Sequence, residues 1–173
     1  MRLVLFRHGP AEPRDPARWQ DDLERPLTTR GTARARRSAR GIARLEPRLD
    51  RVFSSPAKRA LDSARLLSGA LGLTGEPDRL PSLAPGSSWR DTLARLAGEP
   101  TDAHVALVGH EPELSVLAAA LLLSAEVDAL AFKKAGACAI DCDLPEQGRG
   151  RLRWWLAPGA LRALRPTRKG RVA

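Results

Sequence analysis

The chain has 173 residues and a mass of 18.8 kDa, a length that suits one domain with a buried core. Apolar residues make up 43% and charged residues 28%, which excludes a disordered chain, and no apolar run approaches the roughly 20 residues that span a bilayer. The net charge of +9 suggests an anionic partner, but nearly all the cations are arginine in an alanine-rich chain, a pattern that compositional bias also explains. The short apolar start at 3–6 is no signal sequence, so we expect a cytoplasmic location.

The first half of the chain alternates short apolar strands with helical patterns. A strand is predicted over Arg2–Phe6, and a polar, proline-marked loop follows over 10–26. A helix is predicted over 30–46, a second strand over 51–53 and a second helix over 58–71. The residues of the first helix expected to face the core are Ala35, Ala39 and Ile42.

The second half continues the alternation and ends on two adjacent strands. A short helix is predicted over 89–97, a strand over 105–108 and a helix over 112–124. The late strands, over 137–144 and 151–156, flank a glycine-containing turn and are expected to pair antiparallel.

This order of elements predicts an α/β fold, a three-layer α/β/α sandwich around a mainly parallel sheet with an antiparallel edge strand. We expect one domain over 1–160 and a basic, mobile C-terminal tail over 161–173. Cys138 and Cys142 lack the neighbouring ligands that zinc requires, so they are interpreted as buried thiols.

Residues with catalytic chemistry follow three of the predicted strands directly. The tripeptide at 7–9 (Arg-His-Gly) follows the first strand, and the segment at 54–60 (Ser-Ser-Pro-Ala-Lys-Arg-Ala) follows the second. The dipeptide at 109–110 (Gly-His) follows the strand at 105–108. Sites in such sheets form beyond the carboxyl ends of the strands, so these segments are expected to converge.

The three segments offer the chemistry of phosphoryl transfer. A neutral imidazole is a nucleophile near pH 7, so His8 is the candidate to accept a phosphoryl group covalently. The negative charge on that group calls for fixed cations, which Arg7 and Arg59 supply, and a protonated His110 would donate one more hydrogen bond. Gly9 lets the backbone approach the phosphate, and since arginines replace the charge of a metal, no metal or cofactor is expected.

In order and setting, these segments resemble the signature of the histidine phosphatase superfamily, whose fold also serves the phosphoglycerate mutases. Within it, the segments at 25–28 (Arg-Pro-Leu-Thr), 108–112 (Val-Gly-His-Glu-Pro) and 132–136 (Phe-Lys-Lys-Ala-Gly) are similar to the SixA-type phosphohistidine phosphatases. The resemblance implies a phosphoglycerate mutase-like fold and a metal-independent phosphatase. It also implies that one histidine becomes phosphorylated while two arginines and a second histidine bind the phosphate. In this chain these residues are His8, Arg7, Arg59 and His110.

The sequence does not identify an acid that protonates the leaving group. Many members of the superfamily carry this carboxylic acid in an inserted helical segment, which this chain lacks, as SixA-type proteins do. The acidic residues nearby are Glu76, Asp78, Asp91 and Glu111, and their spacing favours none of them. Imidazole leaving from a phosphoramidate needs a proton far less than an alkoxide does, so such a site favours phosphohistidine or other activated phosphates. Phosphohistidine on a protein is the expected substrate.

Two other functions stay open. One is a phosphatase for small phosphomonoesters such as sugar phosphates or nucleotides. The other is a basic nucleic-acid-binding module on the same scaffold, because one of Trp154 and Trp155 is expected to be partly exposed beside arginines. A phosphorylated substrate is the expected partner, a membrane is not, and nucleic acid is the least favoured.

Overall fold

The computed structural model describes residues 1–123 and 130–165, which form one six-stranded sheet flanked by five α-helices. The strands are β1 (Arg2–Arg7), β2 (Arg51–Ser54), β3 (Asp78–Arg79), β4 (His104–Gly109), β5 (Ala137–Cys142) and β6 (Gly150–Leu156). The helices are α1 (Thr29–Leu45), α2 (Lys58–Leu71), α3 (Trp89–Leu96), α4 (Glu113–Leu123) and α5 (Pro158–Ala163). No helix in these two ranges is long and apolar enough to cross a membrane.

The strands lie in the order β3-β2-β4-β1-β5-β6. The first four are mutually parallel, whereas β5 pairs antiparallel with both β1 and β6 at the other side of the sheet. This confirms the predicted α/β class, the mainly parallel sheet and the antiparallel pairing of the late strands. Residues 3–6 and 105–108 are fully buried because helices cover both faces of the two central strands, as their unbroken apolar runs predict.

Alternate residues of β1 point into two separate cores. Leu3 and Leu5 pack in the core that includes α3 and α4, while Val4 and Phe6 pack in the core that includes α1, α2 and α5. Cys138 and Cys142 are free, buried thiols, and burial raises the pKa of both.

One short strand and one short α-helix were not predicted. β3 has two residues, both exposed, and α5 has six, of which Leu161 is buried against α1. Both elements are too short to create a hydrophobic period. The predicted helix end at Ser124 and residues 166–173 of the predicted tail lie outside the described residues.

The loop between β1 and α1 is closed at its neck by backbone hydrogen bonds. Ala11 and Leu27 form an isolated antiparallel bridge, and the Thr28 N–H donates to the Pro10 carbonyl at 3.1 Å. Thr28 also caps α1, as predicted, by accepting from the Gly31 N–H at 2.8 Å. A β-carbon at Gly31 would lie 1.8 Å from the Pro10 oxygen, so only glycine allows the helix start to pack on this neck.

Candidate active site

His8 lies directly after β1, and its ring is held in one tautomer. The side chain is 6% exposed, and its Nδ1 lies 2.6 Å from the Gly9 carbonyl oxygen. A carbonyl oxygen only accepts hydrogen bonds, so Nδ1 carries the hydrogen of the neutral ring. The lone pair therefore stands on Nε2, where an electrophile can be attacked.

His110 lies directly after β4 and meets His8. The two ring centroids are 4.9 Å apart, and His110 is 3% exposed. Its Nε2 lies 2.8 Å from the hydroxyl of Ser55, the residue that follows β2. The register explains the meeting, because Arg7 pairs with Gly109 and Ser54 pairs with Val108 at the carboxyl edge of the sheet.

Both histidines are neutral in the free protein. Burial lowers the pKa of His8 to about 3, and the positive charges of Arg59, Arg7 and Lys134 lower it further. The hydrogen bond that Nδ1 donates to the Gly9 carbonyl acts in the opposite direction. Burial and the proximity of His8 and Arg59 lower the pKa of His110 to about 2. Burial among cations disfavours a further positive charge on His110 in the resting site, and its protonation with a phosphoryl group bound stays a prediction.

Arg7, the last residue of β1, is held by a turn that precedes β5. Its Nη1 donates to the Phe132 carbonyl, and the Ala135 N–H donates to the carbonyls of Arg7 and His8. Its Nε is buried without a hydrogen-bond partner, and burial lowers its pKa. A buried guanidinium donor without a protein partner can donate a hydrogen bond to an anion.

Arg59 lies in the first turn of α2 and is 3% exposed. Its two terminal nitrogens contact Asp22, a residue of the loop between β1 and α1, while its Nε is buried without a partner. Burial lowers its pKa, as for Arg7. Ala57 at the N-cap of α2 supplies no side-chain hydrogen bond, so this helix start keeps its attraction for anions.

Gly9 has a packing role in the structure. A β-carbon there would lie 3.0 Å from both the Ala35 β-carbon and the Gly31 oxygen of α1. Its N–H donates to the Ser63 hydroxyl at 3.1 Å, and that hydroxyl donates to the Arg59 carbonyl at 2.7 Å. The Gly9 N–H is thus engaged within the protein, and its contact with substrate stays a prediction.

None of the four carboxylates considered from the sequence is placed as a free acid beside the histidines. Glu76 pairs with Arg65 at 2.8 Å, Asp78 pairs with Arg51 at 2.8 Å, and Asp91 is exposed on α3. Glu111, next to His110, accepts hydrogen bonds on both oxygens. Its donors are the Ser115 hydroxyl and the Phe132 N–H.

Glu111 instead fixes the segment that holds Arg7. The Phe132 N–H binds Glu111 while the Phe132 carbonyl binds Arg7, so one peptide segment links the two charged side chains. Within the described ranges, no group of three or more His, Cys, Asp or Glu is placed to hold a metal ion.

Sequence reasoning missed Asp22, which contacts Arg59 from a loop with no periodic pattern. It left Lys134 undecided, and the structure places its ammonium close enough to lower the pKa of His8. Trp154 and Trp155 are both half-buried. Trp154 donates to Glu46 at 2.9 Å, and the ring centroid of Trp155 lies 4.1 Å from that of Phe132.

The site combines a buried histidine pair with two arginines whose Nε donors have no hydrogen-bond partner. Comparison with known proteins identifies the family to which the chain belongs. The profile of the histidine phosphatase superfamily (branch 1) matches residues 3–84. An uncharacterised protein of Picosynechococcus sp. (strain ATCC 27264 / PCC 7002 / PR-6) is 37% identical over 139 residues, which cover 79% of this chain and 82% of that protein. The chain belongs to the histidine phosphatase superfamily and is a phosphatase.

Proteins that carry the name of an activity are similar to this chain in sequence and fold. Phosphohistidine phosphatase SixA of Escherichia coli (strain K12) is 28% identical over 164 residues, covering 94% of this chain and 97% of that protein. A structure of the protein histidine phosphatase SixA complexed with tungstate matches with a TM-score of 0.80 and 26% identity, covering 93% of this chain and 99% of that chain. A mycobacterial glucosyl-3-phosphoglycerate phosphatase matches with a TM-score of 0.67 and 25% identity, covering 90% and 98%.

Proposed function

We propose that this phosphatase works through a phosphorylated His8 and that it removes phosphate from phosphohistidine on a protein. The observation that carries the mechanism is the pair of buried, unpartnered Nε donors on Arg7 and Arg59. They border a neutral imidazole whose Nε2 lone pair is free. This arrangement supplies a nucleophile and an anion site together.

The first step transfers the phosphoryl group to the protein. The Nε2 lone pair of His8 forms a bond to phosphorus while the bond from phosphorus to the leaving atom breaks. Arg7, Arg59 and His110 donate hydrogen bonds to the equatorial oxygens, whose negative charge increases in the transition state. The Gly9 carbonyl stabilises the positive charge on the His8 ring through the Nδ1 hydrogen.

The second step regenerates the resting site. Water attacks the phosphorus of phospho-His8, the bond from phosphorus to Nε2 breaks, and inorganic phosphate leaves. One proton of the attacking water passes to solvent or to phosphate, and the imidazole returns to its neutral state.

The preference for phosphohistidine rests on the state of the carboxylates. Both oxygens of Glu111 are engaged, and the pKa of Asp22 is lowered to about 2, chiefly by its hydrogen bond to Arg25. An alkoxide leaving group requires an acid that neither residue provides, whereas an imidazole leaving group can take its proton from water. The likeness to SixA, a phosphohistidine phosphatase by name, points to the same substrate class.

A small phosphomonoester is the second candidate. The likeness in fold to a glucosyl-3-phosphoglycerate phosphatase favours it. A cytoplasmic location stays a prediction within either function, and a protein partner stays a prediction of the first.

A panel of substrates tests the proposal. Turnover of a phosphohistidine peptide, a phosphoserine peptide, sugar phosphates and nucleotides is compared without added metal, and labelled phosphate is trapped on the protein by acid-free quenching. We expect the phosphohistidine peptide to have the highest kcat/KM and the label to be absent from His8→Ala. Faster turnover of a sugar phosphate would overturn the substrate class, and label on His8→Ala would overturn the nucleophile.

A further inference from the structure

The carboxylate of Asp22 lies at the centre of a cluster of arginines beside the histidine pair. Its Oδ2 is 3.0 Å from Nη2 of Arg59, and its Oδ1 accepts from Nε of Arg25 at 2.8 Å and from Nε of Arg14 at 3.4 Å. Its backbone carbonyl also accepts from Nη1 of Arg59, at 2.7 Å. One residue therefore binds both terminal nitrogens of the buried guanidinium.

A guanidinium carries five N–H donors, and Asp22 engages one on each terminal nitrogen. Asp22 therefore occupies the edge of the guanidinium formed by Nη1 and Nη2. The edge that carries Nε stays open to a second anion, which it can bind through two hydrogen bonds. Nε of Arg59 is buried and has no partner, which is the state expected of a donor reserved for a ligand. Asp22 and a phosphoryl group thus fit the same guanidinium at once, on different edges.

The loop that presents Asp22 is itself fixed. Asp21 accepts from the Leu23 N–H at 2.8 Å and so begins a single 3₁₀ turn over Asp22–Glu24. Nη1 of Arg25 crosses the loop to the Glu12 carbonyl at 2.7 Å. These contacts fix the position of Asp22 relative to α2. Asp22 in turn fixes the direction of the Arg59 side chain.

We propose that Asp22 is a positioning residue, which holds the guanidinium of Arg59 so that its open edge faces the phosphoryl group. The inference rests on the proposed function, in which Arg59 binds that group. In Asp22→Ala the backbone carbonyl still accepts from Nη1, but the contact of the carboxylate with Nη2 is lost. The guanidinium is then held at one terminal nitrogen instead of two, and a donor that is less well directed stabilises the transition state less.

A double-mutant cycle tests this role, with kcat/KM on a phosphohistidine peptide as the readout. We expect Asp22→Ala to lower kcat/KM roughly 10- to 100-fold and Asp22→Asn to recover much of the loss, because the amide oxygen still accepts the hydrogen bond. In an Arg59→Ala background, Asp22→Ala should cost less than about 3-fold, since the residue through which it acts is gone. Glu24→Ala, exposed in the same 3₁₀ turn, is the matched control and should match wild type.

Each contrary result has a separate meaning. Wild-type activity of Arg59→Ala would overturn the proposed phosphate site itself. A large loss in Arg59→Ala with none in Asp22→Ala, or additive losses in the double variant, would overturn only the positioning role. A lower inhibition constant for inorganic phosphate in Asp22→Ala would also overturn it, because Asp22 would then compete with phosphate for Arg59. Thermal unfolding of each variant verifies that the fold is kept.

Discussion

Arginines at the two ends of the parallel strands differ in how completely their donors are hydrogen-bonded within the protein. At the amino end, Arg2 binds Asp141 and Glu46, at 2.8 and 3.0 Å, and these hydrogen bonds raise its pKa. At the carboxyl end, burial lowers the pKa of Arg7 and Arg59, and the Nε of each has no partner. Arginines engaged by carboxylates at the amino end stabilise the fold, whereas Arg7 and Arg59 each keep one buried donor without a partner, at a cost in stability.

The largest effect expected from this contrast is on catalysis. Arg7→Met should lower kcat by about 10²- to 10³-fold, because a fixed donor to the transition state is lost. Its free energy of unfolding should fall by less than about 1 kcal/mol, since the cation removed is poorly solvated in the folded state. Steady-state kinetics and urea unfolding measure the two quantities.

Arg51→Met is the matched control at the amino end. Arg51 binds Asp78 and Glu99, both at 2.8 Å, and should affect stability but leave kcat unchanged. Loss of kcat in this variant, or its retention in Arg7→Met, would remove the functional difference between the two ends.

The next effect is a loss of stability in mild acid. Both histidines of the site ionise at pH 6.5 in the unfolded chain, but burial holds the pKa of His8 to about 3 and that of His110 to about 2. Below pH 6.5 the unfolded chain therefore binds more protons than the folded protein, and stability declines as pH falls towards these values. Each histidine contributes a slope approaching about 1.4 kcal/mol per pH unit.

Urea unfolding between pH 6 and pH 5 measures this slope, because most carboxylates stay ionised across that range. We expect a loss of about 2–3 kcal/mol in the wild type and about half of that in His8→Asn. An unchanged slope in His8→Asn would show that its imidazole is not the buried, neutral group described here.

A smaller effect on stability is expected from Glu46, the carboxylate that accepts hydrogen bonds near the amino ends of the strands. It is 2% exposed and accepts from Arg2 at 3.0 Å and from the Trp154 indole at 2.9 Å. Glu46→Ala should lower the free energy of unfolding by about 2 kcal/mol, because two donors lose their acceptor. The kcat per folded molecule should not change, and a fall in kcat at full occupancy of the folded state would contradict this.

The smallest effect concerns Lys134, whose ammonium adds positive charge near His8. Lys134→Met should raise KM by about 2- to 5-fold with little change in kcat, because an exposed charge of this kind contributes roughly 0.5–1 kcal/mol. The effect should shrink at high salt. Lys133→Met, a neighbouring exposed lysine, is the control, and an equal change in both variants would assign the effect to net charge alone.

The central strands of the sheet could be predicted because short, contiguous segments of the sequence specify them. Unbroken apolar runs at 3–6 and 105–108 identify doubly buried strands, and residues that follow such strands reach one edge of the sheet. This is why His8 and His110 could be expected to meet, and they do, at 4.9 Å between ring centroids.

The remainder of the site could not be predicted, because it depends on contacts distant in sequence. Asp22 reaches Arg59 from a loop whose neck at Pro10 and Thr28 is closed by a backbone hydrogen bond, and side-chain patterns in the sequence do not predict such a bond. The engagement of Glu111 likewise depends on where Phe132 folds back. That the Arg7 Nε has no hydrogen-bond partner could not be predicted for the same reason.

The two cysteines give this catalyst a practical property. A thiol reacts with alkylating agents or peroxide when it is ionised and reachable, and Cys138 and Cys142 are neither, since burial raises the pKa of both. The nucleophile assigned to the reaction is an imidazole. A phosphatase built in this way should keep its turnover in oxidising buffers and after iodoacetamide, conditions that silence enzymes whose attacking group is sulfur.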